Sequence, residues 1–340
     1  MPIDVVVVGG GAMGLATAWW LAPQARVVLL ERFAAGHHRG ASHGDERIYR
    51  HLHVGRELTE MAIAADEGWA RLERESGRVL RHQVGCVEQL EPADMETRAA
   101  AASKYGLAAE WVSAADAAVR WPGMRFGHDV LYQPDGGWVH ASATLSALAE
   151  LAVAGGAELR YEIPVESIDV VGDRARVVAG STTYDADVVV VTAGAWTEQL
   201  VPDVPLPPLL TTEEHVYFFE PRQPLPTFLH RLECTRYGTP GPTGLYKVAE
   251  HHTGTVTTAD TRTFAPDPDR QSRMEAYVAE WLPALEPAAV STKTCLYTST
   301  PTHAFHLART GPIVVGTGFS GQGFKHTPEV ARRLATLALS

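Results

Sequence analysis

This chain of 340 residues has few cysteines, few lysines and no long apolar run. Its three cysteines, Cys86, Cys234 and Cys295, are scattered and odd in number, so they do not make a disulfide framework. No apolar run approaches the roughly 20 residues that a membrane span needs. The net charge of −11 argues against nucleic acid and anionic membranes as partners, because both attract basic surfaces.

Lysine is the scarcest of the common charged residues, with only four copies against a large excess of arginine. A chain that keeps so few lysines has little reason to retain them for solvation alone. The four positions are Lys104, Lys247, Lys293 and Lys325.

The overall composition, 45% hydrophobic and 20% charged, is ordinary for a globular protein. Residues 1–4 lead straight into an apolar strand, so we expect no secretory leader and a cytoplasmic location. A chain of this length suits two domains better than one small core.

Continuous apolar runs and alternating segments occupy different parts of the chain. Runs typical of parallel strands buried on both faces lie at 4–9, 188–191 and 313–317. Alternating segments typical of an antiparallel sheet lie at 216–219, 244–250 and 292–297. Because the parallel segments flank the antiparallel ones, we predict a discontinuous nucleotide-binding domain with a substrate domain inserted twice.

The predicted fold is therefore α/β, a two-domain α+β arrangement with a Rossmann-like domain and an antiparallel-sheet domain. The nucleotide-binding domain is expected over 1–80, 140–203 and 301–340, and the substrate domain over 81–139 and 204–300. Helices are expected at 12–21, 57–76, 141–154, near 270–286 and from 328 onward.

The first residues carry a dinucleotide-binding motif, G-x-G-x-x-G directly after a strand and opening a helix. Such glycines permit a tight turn and let the backbone approach a pyrophosphate on the positive helix N-terminus. An acid about 20 residues on, at the end of the second strand, suits ribose hydroxyls. A glycine-rich turn without a ligand is the alternative, and the motif does not choose between FAD and NAD. The residues assigned here are Gly9, Gly11, Ala12, Met13, Gly14, Glu31 and Arg32.

Three further segments, taken with this motif, resemble the monomeric sarcosine oxidase and N-methyltryptophan oxidase family of FAD-dependent amine oxidases. The resemblance runs from residue 4 to the end of the chain, with the motifs in the family's order. The segments are G-A-S-H-G-D-E-R-I-Y-R-H (40–51), K-T-C-L-Y-T (293–298) and F-S-G-Q-G-F-K (319–325).

The resemblance implies FAD as the cofactor. The segment T-A-G-A-W (192–196) resembles the second flavin-contacting turn of glutathione-reductase-type flavoproteins. Cys295 matches the cysteine that carries the flavin through a thioether, although a lone cysteine is more often an inert buried thiol. Gln322 stands where family members commonly have histidine. The other residues expected at the flavin are Val165, Gly194, Trp196, Gly321, Gly323 and Lys325.

The same resemblance implies the substrate site. Arg50 and Lys325 match the two ligands of the substrate carboxylate, and an arginine fork can donate two parallel hydrogen bonds to that group. Lys247 matches the lysine beside the flavin atom at which oxygen reacts. The resemblance implies His43 and Arg47 at the flavin face, and Tyr237, His251 and Tyr297 in the substrate pocket.

The segment 40–51 could alternatively be an exposed basic loop. In another interpretation, the five histidines of residues 37–53 could hold a metal ion. Neither a tight ligand spacing nor a supporting acid pattern is present, so we predict no metal. The five histidines are His37, His38, His43, His51 and His53.

The sequence thus predicts a flavin-dependent oxidase of a secondary amine bearing a carboxylate, either an N-methyl amino acid or a cyclic imino acid. The expected products are an imine and hydrogen peroxide, the expected partners are the small-molecule amine and O2, and a monomer is favoured. One alternative is a flavin dehydrogenase that acts on an amine or alcohol and uses another electron acceptor. A second is the flavoprotein subunit of a hetero-oligomeric oxidase.

Overall fold

The computed structural model describes residues 4–340. Residues 1–3 lie outside the described residues. They are part of the predicted nucleotide-binding domain and of the start at which no secretory leader is expected. The strands in chain order are β1 (Asp4–Val8), β2 (Arg26–Leu30), β3 (Glu46–Tyr49), β4 (Arg81–Gln83), β5 (Cys86–Gln89), β6 (Glu110–Val112), β7 (Val130–Gln133), β8 (Gly137–His140), β9 (Glu158–Arg160), β10 (Ser167–Val171), β11 (Arg174–Ala179), β12 (Thr182–Ala186), β13 (Val188–Val191), β14 (Leu210–Phe219), β15 (Thr227–Arg231), β16 (Thr235–Pro240), β17 (Tyr246–His251), β18 (Thr255–Val256), β19 (Ser291–Ser299), β20 (His306–Thr310) and β21 (Ile313–Thr317).

The α-helices are α1 (Ala12–Leu21), α2 (Arg56–Ser76), α3 (Pro92–Tyr105), α4 (Ala114–Arg120), α5 (Ala141–Ala154), α6 (Thr197–Leu200), α7 (Pro268–Trp281) and α8 (Thr327–Leu339). Short 3₁₀ helices lie at Gly194–Trp196 and Gly323–His326. Within residues 4–340, no helix combines the length and the apolar character that crossing a membrane requires.

A six-stranded sheet forms one half of the molecule, in the order β20-β21-β13-β1-β2-β9. All its pairings are parallel except that of β20 with β21. Because apolar layers cover both of its faces, the strand residues Val5 to Val8 need no polar side chain. Helices α1, α2, α5 and α8 cover one face, and the antiparallel sheet β10-β11-β12 covers the other.

The second large sheet has nine strands, in the order β18-β14-β17-β16-β15-β5-β7-β6, with β19 along the other edge of β14. Its pairings are antiparallel except that β15 runs parallel to β5. Helix α7 packs on it through Met274, Tyr277 and Val278.

The small antiparallel sheet β3-β8-β4 carries part of the 40–51 segment between the two large sheets. Strand β3 comes close to β16 of the nine-stranded sheet and to the 3₁₀ turn before α8. The segment predicted to contact flavin and substrate is therefore enclosed by structure from distant parts of the chain.

The predicted fold class is confirmed, and the predicted helices at 12–21 and 141–154 match α1 and α5. The predicted helix near 270–286 is wrong at its C-terminal end, because α7 stops at Trp281. Pro283 restricts Leu282 to non-helical backbone, which ends the helix there. The domain boundaries stay a prediction.

Candidate active site

A cavity of about 570 Å³ lies between the six-stranded and nine-stranded sheets. Its walls come from the turn after β1, residues 40–50, the end of β13, strands of the larger sheet and the segment 317–325. Every site residue named from the sequence lines this cavity except Gly14. The cavity thus brings together residues from both ends and the middle of the chain.

The glycine turn is shaped by close backbone contacts. Gly9 has φ +104°, and a Cβ there would lie 2.6 Å from the carbonyl oxygen of Thr192. A Cβ on Gly14 would lie 1.8 Å from the carbonyl oxygen of Gly9. Because Gly14 has no side chain, the start of α1 can pack directly against the turn. Gly14 itself does not line the cavity.

Glu31 lies at the end of β2 and faces this turn. Its Oε2 accepts a hydrogen bond from the Gly10 N–H at 2.6 Å, and its Oε1 accepts one from Phe33 N–H at 2.9 Å. Burial would raise the pKa of Glu31, but hydrogen bonds from His37 and these two amides lower it. An ionised carboxylate beside a glycine turn at a helix N-terminus fits a dinucleotide, since it can accept from ribose hydroxyls.

Arg32 and Trp196 lie together at the rim of the same end. The Arg32 Nη1 lies 3.3 Å from Asp260 Oδ1, and the Trp196 Nε1 donates to the same oxygen at 3.0 Å. Asp260 therefore connects the two predicted cofactor residues to the segment between β18 and α7. Nearby, Val165 packs in the apolar layer beside the six-stranded sheet, and Gly194 has φ +55°.

Arg47 fastens the loop that precedes β3. Its guanidinium donates to the carbonyl oxygens of Ala41 at 2.9 Å, His43 at 2.5 Å and Glu46 at 2.9 Å. Burial, reinforced by the charge of Arg47, lowers the pKa of His43 to about 3, so this ring is neutral. Its Nε2 is buried without a partner among residues 4–340.

Cys295 is the cysteine on the cavity wall. Its Sγ lies 3.6 Å from the carbonyl oxygen of Ala41, and the side chain is partly exposed. The buried Arg262 donates to Thr294 and to the carbonyl oxygen of Arg39 at 3.2 Å, which holds β19 against this loop. By contrast, Cys86 is buried in the core, where burial raises the pKa of its thiol.

Lys247 lies on β17 and forms a buried ion pair. Its Nζ donates to the carbonyl oxygen of Glu46 at 2.7 Å and lies 3.3 Å from Glu46 Oε1. The two residues are only 4% and 3% exposed. Burial lowers the pKa of Lys247, and the charge of Glu46 works against that shift.

Arg50 and Lys325 lie in a cationic pocket with Arg98. Glu88 is fully buried and accepts from Arg98 Nη1 at 3.0 Å, and the Arg50 Nε lies 3.5 Å from it. Arg50 also donates to the carbonyl oxygen of Leu52. Among residues 4–340, Glu88 is the one carboxylate within 4.0 Å of Arg50 or Arg98.

Lys325 has no carboxylate partner in the described chain. Its Nζ donates to the carbonyl oxygen of Gln322 at 3.1 Å. Burial, together with the charges of Arg50 and Arg98, lowers the pKa of Lys325 far below its usual value. An anion entering this pocket would reverse that shift, so the arrangement is built to receive one.

The opposite wall of the pocket is uncharged. The Tyr237 hydroxyl lies 3.4 Å from the Tyr297 hydroxyl, which lies 3.3 Å from His251 Nδ1. Burial raises the pKa of Tyr237 to about 12 and lowers the pKa of His251 far below its usual value. All three side chains are therefore neutral hydrogen-bonding groups.

The segment 319–325 passes close to this wall. Gly321 has φ +68°, and a Cβ there would lie 2.3 Å from the Tyr297 ring. A Cβ on Gly323 would meet Phe319 at 2.7 Å and Met13 at 3.0 Å. The backbone of this segment can therefore approach a ligand closely.

Three residues of the site were missed by the sequence analysis, namely Glu46, Glu88 and Arg98. Glu46 stands next to Arg47 inside a recognised motif, so its acidic character was a usable signal. Glu88 and Arg98 lie on β5 and α3, where the sequence indicated only short elements. No local pattern marks their pairing.

Three of the five histidines of residues 37–53 have partners outside this group, and the rings of His38 and His43 lie 5.6 Å apart. His37 lies 3.4 Å from Glu31 and His51 lies 2.8 Å from Asp66, whereas His53 packs against His326. Within residues 4–340, no group of three or more His, Cys, Asp or Glu side chains is arranged to hold a metal ion.

Residues 4–337 match the family described as FAD dependent oxidoreductase. Together with the nucleotide-binding turn and the cavity, this match defines the protein as an FAD-dependent oxidoreductase. The chain is 30% identical to the monomeric sarcosine oxidase of Bacillus sp. (strain B-0618), over 99% of this chain and 92% of that protein. It is 32% identical to the peroxisomal sarcosine oxidase of Homo sapiens, with the same two coverages.

Among solved structures, NikD, described as an unusual amino acid oxidase essential for nikkomycin biosynthesis, superposes with a TM-score of 0.88. The two are 28% identical, and the match covers 99% of this chain and 94% of NikD. The protein belongs to the monomeric sarcosine oxidase family of FAD-dependent amine oxidases, and the resemblance stated from its motifs is confirmed.

Proposed function

We propose that this protein is an FAD-dependent oxidase of a secondary amine that bears a carboxylate, namely an N-methyl amino acid or a cyclic imino acid. The observation that carries the proposal is the buried pocket in which Arg50 and Arg98 share one carboxylate, Glu88, and the neighbouring Lys325 has none among residues 4–340. The pocket opens into the cavity that holds the dinucleotide turn. Relatives named sarcosine oxidase and N-methyl-L-tryptophan oxidase support this substrate class.

The cofactor end of the proposal uses the glycine turn, Glu31 and Cys295. Gly9 and Gly11 would hold the pyrophosphate, Glu31 the ribose, and Cys295 the flavin ring through a thioether to its 8α-methyl carbon. When bound, the flavin supplies the acceptor for the hydride equivalent from the carbon next to nitrogen and reduces O2 to hydrogen peroxide. The partial exposure of Cys295 on the cavity wall supports this role.

In the proposal, Arg50 and Lys325 bind the substrate carboxylate by charge-assisted hydrogen bonds. Such bonds are roughly twice as strong as neutral ones, and burial removes competition from water. The guanidinium of Arg50 is fixed by the carbonyl oxygen of Leu52 and by Glu88, so its orientation is set before the substrate arrives.

The amine would lie against the uncharged wall formed by Tyr237, Tyr297 and His251. The cations Arg50 and Lys325 in the same pocket disfavour a further positive charge, so the amine is expected to bind without its extra proton. Tyr297 and His251 can then accept a hydrogen bond from the amine N–H or donate one to the nitrogen lone pair. Oxidation would give an imine, which water hydrolyses or which tautomerises.

Lys247 is proposed to act on oxygen rather than on the amine. A buried ammonium stabilises negative charge that develops on O2 as it takes up electrons. Arg47, at the other side of Glu46, adds a second positive charge to this part of the cavity. The monomeric state and the cytoplasmic location stay predictions from the sequence.

The test has two parts. We expect acid precipitation of the purified protein to retain the yellow colour in the pellet, Cys295→Ala to release it, and Cys234→Ala to retain it. We also expect N-methyl or cyclic amino acids to bleach the flavin anaerobically and to yield hydrogen peroxide in air. A holoenzyme that none of these amines bleaches would contradict the proposed function.

A further inference from the structure

A second cavity of about 360 Å³ adjoins the first. Arg98 and Gln322 line both, so the two cavities share a wall. The second one, called here the side cavity, is further lined by the start of α2 and by residues 302–305.

Two residues that line the side cavity each carry a buried polar atom without a partner among residues 4–340. These atoms are the Nε of Arg98 and the Nε2 of His53, on side chains that are only 7% and 3% exposed. A buried donor left without an acceptor destabilises the fold, so each such group calls for an explanation, and a bound anion or ligand is one. Both belong to residues that contact the side cavity.

The charges around this wall are unbalanced. Of the three cations in the pocket, Arg50 and Arg98 have one carboxylate, Glu88, within 4.0 Å among residues 4–340, and Lys325 has none. A substrate with one carboxylate would leave one positive charge in the pocket unmatched. Two other acids line the cavities, Asp94 on the first and the exposed Glu57 on the side cavity, and neither pairs with the three cations.

We propose that the side cavity is a second anion-binding subsite, in which Arg98 and His53 bind a second acidic group of the substrate. This inference rests on the proposed function and narrows it to N-substituted amino acids that are dicarboxylates. The first carboxylate binds Arg50 and Lys325, and the second occupies the side of Arg98 that faces away from Glu88. Burial, together with the charges of Arg50 and Lys325, lowers the pKa of His53 far below its usual value. The ring is therefore neutral and can donate a hydrogen bond from Nε2.

An apolar substituent would suit this cavity less well. Leu58, Met61 and Phe305 also line the side cavity, but an apolar group at Arg98 would leave the Arg98 Nε without an acceptor. A second carboxylate satisfies that donor and removes the charge imbalance in one step. The side chain of Gln322, at the shared wall, can bond either carboxylate.

Binding of acids that have no amine tests the subsite without turnover. We expect the purified holoenzyme to bind glutarate at least about tenfold more tightly than its half-amide glutaramate, as measured by isothermal titration calorimetry. Arg98→Gln should reduce this preference to less than about threefold, and the exposed Arg125→Gln should leave it unchanged. Equal binding of the two acids by the wild type would overturn the inference.

Arg98→Gln alone leaves Glu88 buried with fewer partners and could unfold the protein. The double variant Glu88→Gln/Arg98→Gln removes both charges, and His53→Leu leaves the Glu88 contacts intact. Both are expected to weaken glutarate binding and to leave glutaramate binding within about twofold. A loss of binding that is the same for both acids would instead assign a structural role and refute the subsite.

A kinetic comparison separates this inference from the proposed function. We expect a higher kcat/KM for N-methylglutamate than for N-methylglutamine, and we expect the difference to lie in KM. The His53→Leu variant should lose this difference. If both amines are oxidised equally well, the subsite fails and the proposed function stands. If neither is oxidised while glutarate binding depends on Arg98, the anion subsite stands and the proposed function fails.

Discussion

Replacing Lys247 with methionine should have two separable effects, one on folding and one on the reaction with oxygen. The methionine side chain keeps much of the lysine volume but lacks the ammonium that Glu46 contacts. The variant Glu46→Gln/Lys247→Met removes both charges of the pair. Comparing the two variants assigns each effect to a cause.

The effect on folding follows from the buried ion pair. The Lys247 Nζ lies 3.3 Å from Glu46 Oε1, with both side chains about 5% exposed or less. Removing one partner of a buried pair costs about 3–5 kcal/mol, because the remaining charge is left unpaired. Total stability is about 5–15 kcal/mol, so the single variant should melt at a clearly lower temperature. The double variant should recover most of the loss.

The effect on oxygen follows from the charge itself. Removing one preorganised charge or donor from such a site costs roughly 10²–10³-fold in rate. In stopped-flow experiments, we expect Lys247→Met to reoxidise that much more slowly after anaerobic reduction by the amine. The anaerobic reduction itself should change only a few-fold, since Arg50 and Lys325 are untouched. The exposed Lys104→Met is the matched control for a lost lysine.

Two outcomes would refute this reasoning. If the double variant recovers the oxygen rate together with its stability, the ammonium of Lys247 is not the agent. If Lys247→Met slows reduction and reoxidation equally, the division of labour between Lys247 and the carboxylate pocket is wrong. Melting curves of the same preparations show whether either rate reflects partial unfolding.

Two further predictions concern buried histidine and glycine. Burial lowers the pKa of His43 to about 3, against 6.5 in an open chain, so only the unfolded protein binds this proton between those values. Stability should therefore fall as the pH drops through this window. In His43→Asn, the free energy of unfolding, followed by thermal melts, should change by about 1.4 kcal/mol less per pH unit than in the wild type. An unchanged pH dependence would contradict this prediction. Gly321→Ala should both destabilise the fold, by about 1–3 kcal/mol, and raise KM, because its Cβ meets the Tyr297 ring. Gly244→Ala, at φ +81° in open space, should only destabilise, and equal KM values for the two variants would contradict the role of that contact.

Much of the fold could be predicted from the sequence because its signals are local. Strands β1, β13 and β21 are continuous apolar runs, as burial on both faces requires, and the glycine turn marks the start of α1. The parallel pairing of β5 with β15 could not be predicted. It joins Cys86 to Thr227, and nothing near either residue specifies a partner so distant in the chain.

The site shows the same division. Arg50, Lys325 and Cys295 lie in motifs whose order along the chain resembles a known family, and all three line the cavity. The partner of Lys247 is 201 residues away, and its carboxylate decides whether the ammonium is neutralised. Such pairs arise from the packing of separate elements, so residue type and spacing do not reveal them.

The two buried lysines of the cavity differ in a way that separates their roles. Lys247 already has a carboxylate at 3.3 Å, so a substrate carboxylate would gain little by approaching it. Lys325 has none in the described chain, and its pKa is lowered by burial and by Arg50 and Arg98. An acid bound at Lys325 would raise this pKa again, so the affinity for the acid should weaken as the pH rises above the lowered pKa. The pairing of each lysine, rather than its presence in a motif, thus favours substrate binding at Lys325 and chemistry with a small neutral molecule at Lys247.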